Sequence, residues 1–205
     1  MIYKASTLIA TALNLADLTN TSFPTATENR YYINLAFQDV YQQAINNGEK
    51  YWYEEQDLVV GENNLPEDFY QLADIYFNRD NKIPRYNKNI RQNNWYDIRN
   101  GKIIVHNKSG DLPDLKMEYY PLPQTLDPDG TGDVELDYPN NIFYHIIALK
   151  LAEYYKVKQN ADISGIELLL GDAWDTYYNL INRDINQNLV INDVYDQENG
   201  VGYYW

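Results

Sequence analysis

The side chains able to do chemistry are few in this chain. Its two histidines are His106 and His145, and it has no cysteine. There is therefore no thiolate nucleophile, no disulfide and no Cys-type metal site. His106 ends an expected strand beside a turn, and His145 falls on an expected buried helix. No Ser, His and Asp spacing around them matches a nucleophile motif. Glu54 and Glu55 are the carboxylates a glycosidase reading would start from. Neighbours on a strand point to opposite faces, so at most one of them can enter a given cleft, and nothing nominates a second carboxylate. Asp127, Asp129, Gly132 and Glu135 fit four positions of a calcium-binding loop. Its closing position is Tyr138, where a bidentate Glu is needed, and Thr131 fills another. Pro121 and Pro123 rule out the entering helix. The expectation is a solvated acidic loop feeding a helix N-terminus, where acidic groups suit the helix dipole. A non-enzymatic chain without cofactor or metal follows.

Charge and aromatic content say more. The net charge is −14 over 205 residues. Such a surface repels phosphate backbones and anionic membranes, which excludes a general nucleic-acid binder. No apolar run reaches the ~20 residues of a membrane span, and Met1-Ile2-Tyr3-Lys4 leads into a poor signal peptide. One basic stretch interrupts the acidity: Arg79, Lys82, Arg85, Lys88 and Arg91 recur at every third residue. Pro84 prevents a long helix there. The stretch is either a solubilising loop or an electrostatic contact, made to a neighbouring acidic copy or to passing phosphates. The 21 tyrosines favour wet-edged cores and interfaces. The final Tyr203-Tyr204-Trp205 suits an interface anchor, the alternative being that the tail folds back on its own domain.

The elements that carry these residues follow from periodicity. Leu8, Ile9, Ala12, Leu13 and Ala16 predict a first amphipathic helix. Thr25 and Glu28 form a capping-box signature. Ile33, Ala36, Phe37, Val40, Tyr41 and Ala44 continue it as a second helix that stops at Asn47-Gly48. Tyr51 to Val60 reads as a strand, interrupted by Leu65-Pro66-Glu67-Asp68-Phe69, and Ala73 to Phe77 as another. Trp95 to Arg99, Asn100-Gly101 and Lys102 to His106 predict a hairpin with a type I′ turn. Asp114 to Tyr120 is a further strand, and 121–137 a loop. Pro139 opens a third helix, apolar nearly all round through Ile142, Phe143, Ile146, Ile147, Leu149, Leu151 and Tyr155. Ile166, Leu169, Leu170, Ala173, Trp174, Tyr177 and Ile181 predict a fourth. From about Ile185 periodicity is lost.

The fold class is thus α+β: a four-helix bundle with an antiparallel β insertion between helices 2 and 3 and an extended C-terminal arm. The expected divisions are 1–47 and 127–184 for the helical scaffold, 48–126 for the β insertion and 185–205 for the arm.

This order of elements resembles the head–tail connector proteins, of adaptor or tail tubular type, of tailed double-stranded-DNA bacteriophages. The resemblance covers residues 5 to 184. It runs from the helix Glu28 to Asn47 through Tyr51-Trp52-Tyr53 and the Leu65 to Phe69 element. It continues with Lys116 to Tyr120 leading into Pro121-Leu122-Pro123, then Asp137-Tyr138-Pro139 and two long helices. The basic segment from Arg79 to Asn94 has no counterpart in it. The resemblance implies a homo-oligomeric ring, typically of twelve copies, assembled in the host cytoplasm and located at the head–tail junction of the virion. That ring sits below the portal protein, extends the DNA channel, and offers a surface to the next tail component. DNA passes through without specific binding. The resemblance also implies a portal-docking arm over Val190 to Trp205, with Val190, Val194, Tyr195, Tyr203, Tyr204 and Trp205 as its apolar contacts. The competing reading is a carbohydrate-binding or glycan-processing module, which would need a cleft lined by Trp52, Trp95 and a carboxylate pair.

Overall fold

The computed structural model describes residues 2–18, 23–78, 81–86, 93–127, 130 and 132–180. In chain order the elements are β1 (Ile2–Lys4), α1 (Ala5–Leu15), α2 (Ala26–Asn46), β2 (Glu54–Asp57), β3 (Gly61–Asn64), β4 (Phe69–Phe77), β5 (Asn81–Lys82), β6 (Asn94–Arg99), β7 (Lys102–Asn107), β8 (Lys116–Pro121), β9 (Glu135–Asp137) and α3 (Asn141–Lys158). A fourth helix, α4, runs over 164–180. The chain is α+β, with antiparallel sheets between the second and third helices. It divides into two compact units, one of residues 1–44 with the chain from 124 onward, the other of Ile45–Pro123.

In the helical unit each helix start has its own device. At α2 the capping box closes both ways: Thr25 N donates to Glu28 Oε2 at 3.0 Å, and Glu28 N donates to Thr25 Oγ1 at 3.3 Å. At α3 the cap is Asn140, whose Oδ1 accepts from Phe143 N at 2.9 Å. Pro139 stands one place before it, so the helix begins slightly later than the proline suggests. At α1 the residue before the helix is Lys4, which has no capping side chain. The missing acceptor comes from far along the chain. Asp133 accepts from Ser6 N at 3.0 Å and from Ser6 Oγ at 2.7 Å. Strand β1 pairs antiparallel with β9 beside it, Tyr3 opposite Leu136.

Helix α3 fills the centre of this unit. Phe143, Ile146, Ile147, Ala148, Leu149, Leu151, Ala152 and Tyr155 are all buried. His145, expected as a packed residue, is instead exposed. His145 near the start of the helix and Val157 near its end lie exposed, while Ala148, Leu149 and Ala152 beyond His145 are buried. Aromatic contacts hold the neighbours on. Phe143 meets Tyr138 at 6.2 Å and Tyr177 at 5.8 Å between ring centroids. Tyr155 presents its face or edge to Phe23 at 6.0 Å and to Tyr32 at 5.9 Å, distances at which such pairs attract. On α4, Ile166, Ala173, Trp174 and Tyr177 are buried as expected, but Leu169 is not: it is 47% exposed and Leu168 69%. The helix turns three successive leucines across its surface, and only Leu170 approaches the bundle side.

The β unit is two antiparallel sheets over one core. Four strands run in the order β2-β8-β4-β5 and three in the order β3-β7-β6. Leu58, Ile75, Ile83, Ile103, Val105, Leu115, Met117 and Tyr119 form the core, with Phe69, Leu72, Tyr96 and Ile98 packed on it. The hairpin is as expected. Asn100 and Gly101 have φ of 51° and 71°, the two positive values a type I′ turn needs.

The strand expected over Tyr51 to Val60 is broken. Tyr51 and Trp52 sit in a turn, where Glu49 Oε1 accepts from Lys50 N and Tyr51 N at 2.9 and 2.8 Å. Only Glu54–Asp57 pairs with β8. At the other end Asn63 imitates a strand partner. Its Oδ1 accepts from Val59 N at 2.9 Å and its Nδ2 donates to Val59 O at 2.8 Å. This clasp turns the chain into β3, a strand of sequence Gly-Glu-Asn-Asn that no propensity favours.

Candidate assembly surfaces

The registers of β2, β8, β4 and β5 decide which side chains share a face. Residues directly opposite one another in an antiparallel pair lie on the same side. Glu54 is opposite Tyr119, and Gln56 opposite the buried Met117. Glu55 is opposite Glu118, and Asp57 opposite Lys116. Glu54 and Glu55 therefore face opposite ways, as the alternation requires. Tyr119 Oη donates to Glu54 Oε2 at 2.9 Å on one side, and Tyr76 Oη donates to Glu55 Oε1 at 2.9 Å on the other.

A bulge in β4 completes the outer face. Leu72 is opposite Tyr119 and Asp74 opposite Glu118, so Ala73 is the extra residue. Without it Asp74 would fall on the side of Leu72, toward the core. The bulge turns Asp74 outward, where Lys82 Nζ meets its Oδ2 at 2.6 Å. Near the other end Tyr120 is covered: Tyr53 lies 4.5 Å from it, and Tyr120 Oη donates to Glu49 O at 2.6 Å. Tyr53 of the expected aromatic strand thus roofs one end of this face.

What stays open is polar. Glu55, Asp57, Asp74 and Glu118 share it with Lys82, Lys116 and Tyr76. Glu55, Tyr76, Asp114, Lys116 and Glu118 line a depression of about 470 Å³. Lys116 Nζ lies 2.7 Å from Glu55 Oε2. The hydrogen bond from Lys116, then that from Tyr76, holds the Glu55 carboxyl below the usual range. Hydrogen bonding to Glu55 and to Asp74 raises Lys116 and Lys82 respectively. Burial, then the Glu55 hydrogen bond, pushes the Tyr76 hydroxyl up to about 12. Glu55 is paired with Lys116 and Asp74 with Lys82, and four carboxyl groups share the face with two lysines. This suits contact with a cationic surface.

Of the basic stretch, Lys82 and Arg85 are described. Lys82 is on β5 and its side chain is 72% exposed despite the Asp74 pair. Arg85 forms an isolated parallel bridge to Tyr96 and is exposed. Arg79, Lys88 and Arg91 lie outside the described residues. So do the arm residues Val190, Val194, Tyr195, Tyr203, Tyr204 and Trp205, and so does Ile181.

In the helical unit the acidic loop is held by a side chain. Arg30 Nη1 donates to Asp127 O at 2.9 Å, and Nη2 donates to Gly132 O. Ser6 hydrogen bonds draw the Asp133 carboxyl below its usual range. Beside them Ala5, Ile9, Ala26, Leu126, Val134 and Arg30 line an apolar hollow of about 280 Å³. Among the described residues no group of three or more His, Asp or Glu could hold a metal ion. Asp129 and Thr131 lie outside those residues. Nor is any described helix long and apolar enough to cross a membrane.

The tryptophans that a glycan cleft would need are differently engaged. Trp95 stacks on His106 at 4.9 Å with Lys108 above it at 5.6 Å. Trp52 packs edge-on to Tyr51 at 5.7 Å in its turn. The sequence reading missed the polar sheet face and the Arg30 contacts. Alternation in Lys116–Tyr120 signals the first, but the bulge that completes it has no local signature.

No curated sequence matches the chain. The profile of one family, the SU10 adaptor proteins, does match, over residues 3–197, which takes in both units and nearly the whole chain. The chain belongs to the SU10 adaptor protein family and is a structural head–tail adaptor of a bacteriophage.

Proposed function

We propose that this adaptor forms a homo-oligomeric ring of typically twelve copies below the portal protein, extends the DNA channel there, and joins the capsid to the next tail component. The observation that carries the reading is the family match over residues 3–197. Three features support it. A net charge of −14 suits a conduit wall, because an acidic lining lets DNA slide without adhering. The polar sheet face and the basic stretch of Arg79, Lys82, Arg85, Lys88 and Arg91 are complementary, as a contact between neighbouring copies requires. The segment Val190 to Trp205 includes Val190, Val194, Tyr195, Tyr203, Tyr204 and Trp205 among its apolar residues, a composition that fits an arm docking on the portal. In this reading the protein works by packing alone, with no catalytic step, and resides at the head–tail junction of the virion.

Electron microscopy of the protein mixed with its portal tests the reading. A ring seated on the portal is the expected image, and a portal that stays bare sinks it. A chain ending at Leu189 separates the arm from the rest. Portal binding as tight as that of the full chain removes the arm's role and leaves the ring.

A further inference from the structure

The three-stranded sheet has an outer face of its own. Ile103 and Val105 of β7 are buried in the core that the two sheets share, so Lys102, Ile104 and His106 turn away from it. The registers add their neighbours. On β6, Trp95 is opposite His106, Asp97 opposite Ile104 and Arg99 opposite Lys102, while Glu62 of β3 is opposite Ile104. Past Lys82 the chain lies along β6: Tyr96 N donates to Pro84 O at 3.1 Å, and Tyr86 N donates to Tyr96 O at 2.7 Å. The Tyr86 ring stands 6.4 Å from that of Trp95. Tyr86, which is 49% exposed, Trp95 and the His106 stacked on it thus form an aromatic shelf at the surface.

Charge on this face balances except at the shelf. Arg99 meets Asp97 at 2.5 Å and Lys102 meets Glu62 at 2.7 Å. Lys108 stands over the Trp95 ring and, among the described residues, has no carboxylate partner. The chain from 87 to 92 is tethered here at both ends, at Tyr86 and Asn93, and its sequence adds Lys88 and Arg91. The polar face of the four-stranded sheet has the opposite imbalance. Its Lys116 is taken by Glu55 and its Lys82 by Asp74, which leaves Glu118 and Asp57 without a paired cation among the described residues. Glu118 and Asp114, likewise unpaired, line the depression of about 470 Å³. Met117 of β8 and Val105 of β7 both point into the shared core. The polar face and the shelf therefore turn away from that core on different sheets, and one copy cannot lay one on the other. Two copies can. Trp and Tyr are the side chains that interface centres enrich. Polar face on polar face would set carboxylates against carboxylates, and shelf on shelf would set Lys108 against Lys108; like charges so placed repel. Shelf on polar face answers both imbalances. Two different patches then meet, which is the head-to-tail contact that can close a ring.

We infer that the Trp95 shelf of one copy seats on the polar sheet face of the next, with Lys108 entering the depression beside Glu118. The inference rests on the ring proposed above and names the contact within it. The chain has no cysteine, so a single introduced cysteine reports one position. Copies carrying Lys108→Cys and copies carrying Glu118→Cys are mixed, assembled on portal, imaged, treated with a short bismaleimide and run on a denaturing gel. The mixture should give linked dimers, while each variant assembled alone stays monomeric on the gel. Rings without dimers from the mixture overturn the contact and leave the ring standing. Dimers from either variant alone show a face meeting itself and also overturn it. A bare portal with the unaltered chain defeats the ring reading instead. If the cysteine variants fail to assemble, charge exchange decides. Neither Lys108 nor Glu118 makes an ion pair within its own copy among the described residues, so exchanging them leaves the fold standing. Lys108→Glu should leave most portals bare, and Lys108→Glu with Glu118→Lys should restore the rings. Full ring formation by Lys108→Glu, or no recovery in the exchanged pair, overturns the contact.

Discussion

Arg30 Nη1 donates to the carbonyl oxygen of Asp127 at 2.9 Å, across 97 residues of sequence. With its second bond, to Gly132 O, the guanidinium bridges two backbone carbonyls of the acidic loop. A cation does sit at this loop, and it is a side chain. Arg30→Ala should destabilise the protein by about 1.5 kcal/mol in urea denaturation, the low end for bonds to a charged group because the site is exposed. Arg30→Lys should recover less than half, since one ammonium cannot fork to both carbonyls. Added calcium should leave the midpoint unchanged; a calcium-dependent rise would restore the metal-loop reading.

Acid should loosen the start of α1. Asp133 is held below the usual carboxylate range by its Ser6 hydrogen bonds, and Glu28 by its Thr25 hydrogen bonds. Groups lowered in the folded state stabilise above their unfolded pKa, about 4 for such carboxyls, and lose that contribution as pH falls through the folded value. The melting temperature should therefore drop as pH is taken below about 4. In Asp133→Asn the drop should be shallower, from a lower starting melting temperature at pH 7. Parallel melting curves for the two proteins would count against the cap.

Alkali acts on the sheet face with the opposite sign. The Tyr76 hydroxyl is raised to about 12 by burial and by Glu55, against about 10 in an unfolded chain. Its contribution is complete below about 10 and fades as pH climbs toward about 12. A difference titration of tyrosinate absorbance between the protein and Tyr76→Phe should show one phenol titrating near that upper value. Glu55→Gln should move it down. A Tyr76 that ionises with the bulk of the tyrosines contradicts the pairing.

Phe143 lies wholly buried between Tyr138 and Tyr177. Phe143→Ala should cost about 3–5 kcal/mol in denaturant midpoint analysis, the range for large-to-small aromatic changes in a core. Leu168→Ala, at a residue 69% exposed, should lie within about 0.5 kcal/mol of the unaltered chain. A comparable loss at both sites would mean that α4 packs differently.

The sequence by itself determined whatever is local. The Thr25 and Glu28 box, the Asn100-Gly101 turn and the apolar girth of α3 each depend on residues within a few places of one another. Their outcome is set before any long-range contact forms. It also determined that acid dominates, and so which partners are repelled. Tertiary structure decided the rest. Helix α1 has no local cap, and its acceptor, Asp133, stands 127 residues away. The aromatic run at Tyr51 has strand propensity, yet Tyr120, 67 residues beyond Tyr53, packs on Tyr53 and donates to Glu49 O, holding the run over the sheet. Asp74 faces outward because β4 bulges at Ala73 against β8. A single extra residue reverses every side chain beyond it, and only the partner strand's register reveals where that residue falls. The polar face exists only once four separated segments have paired.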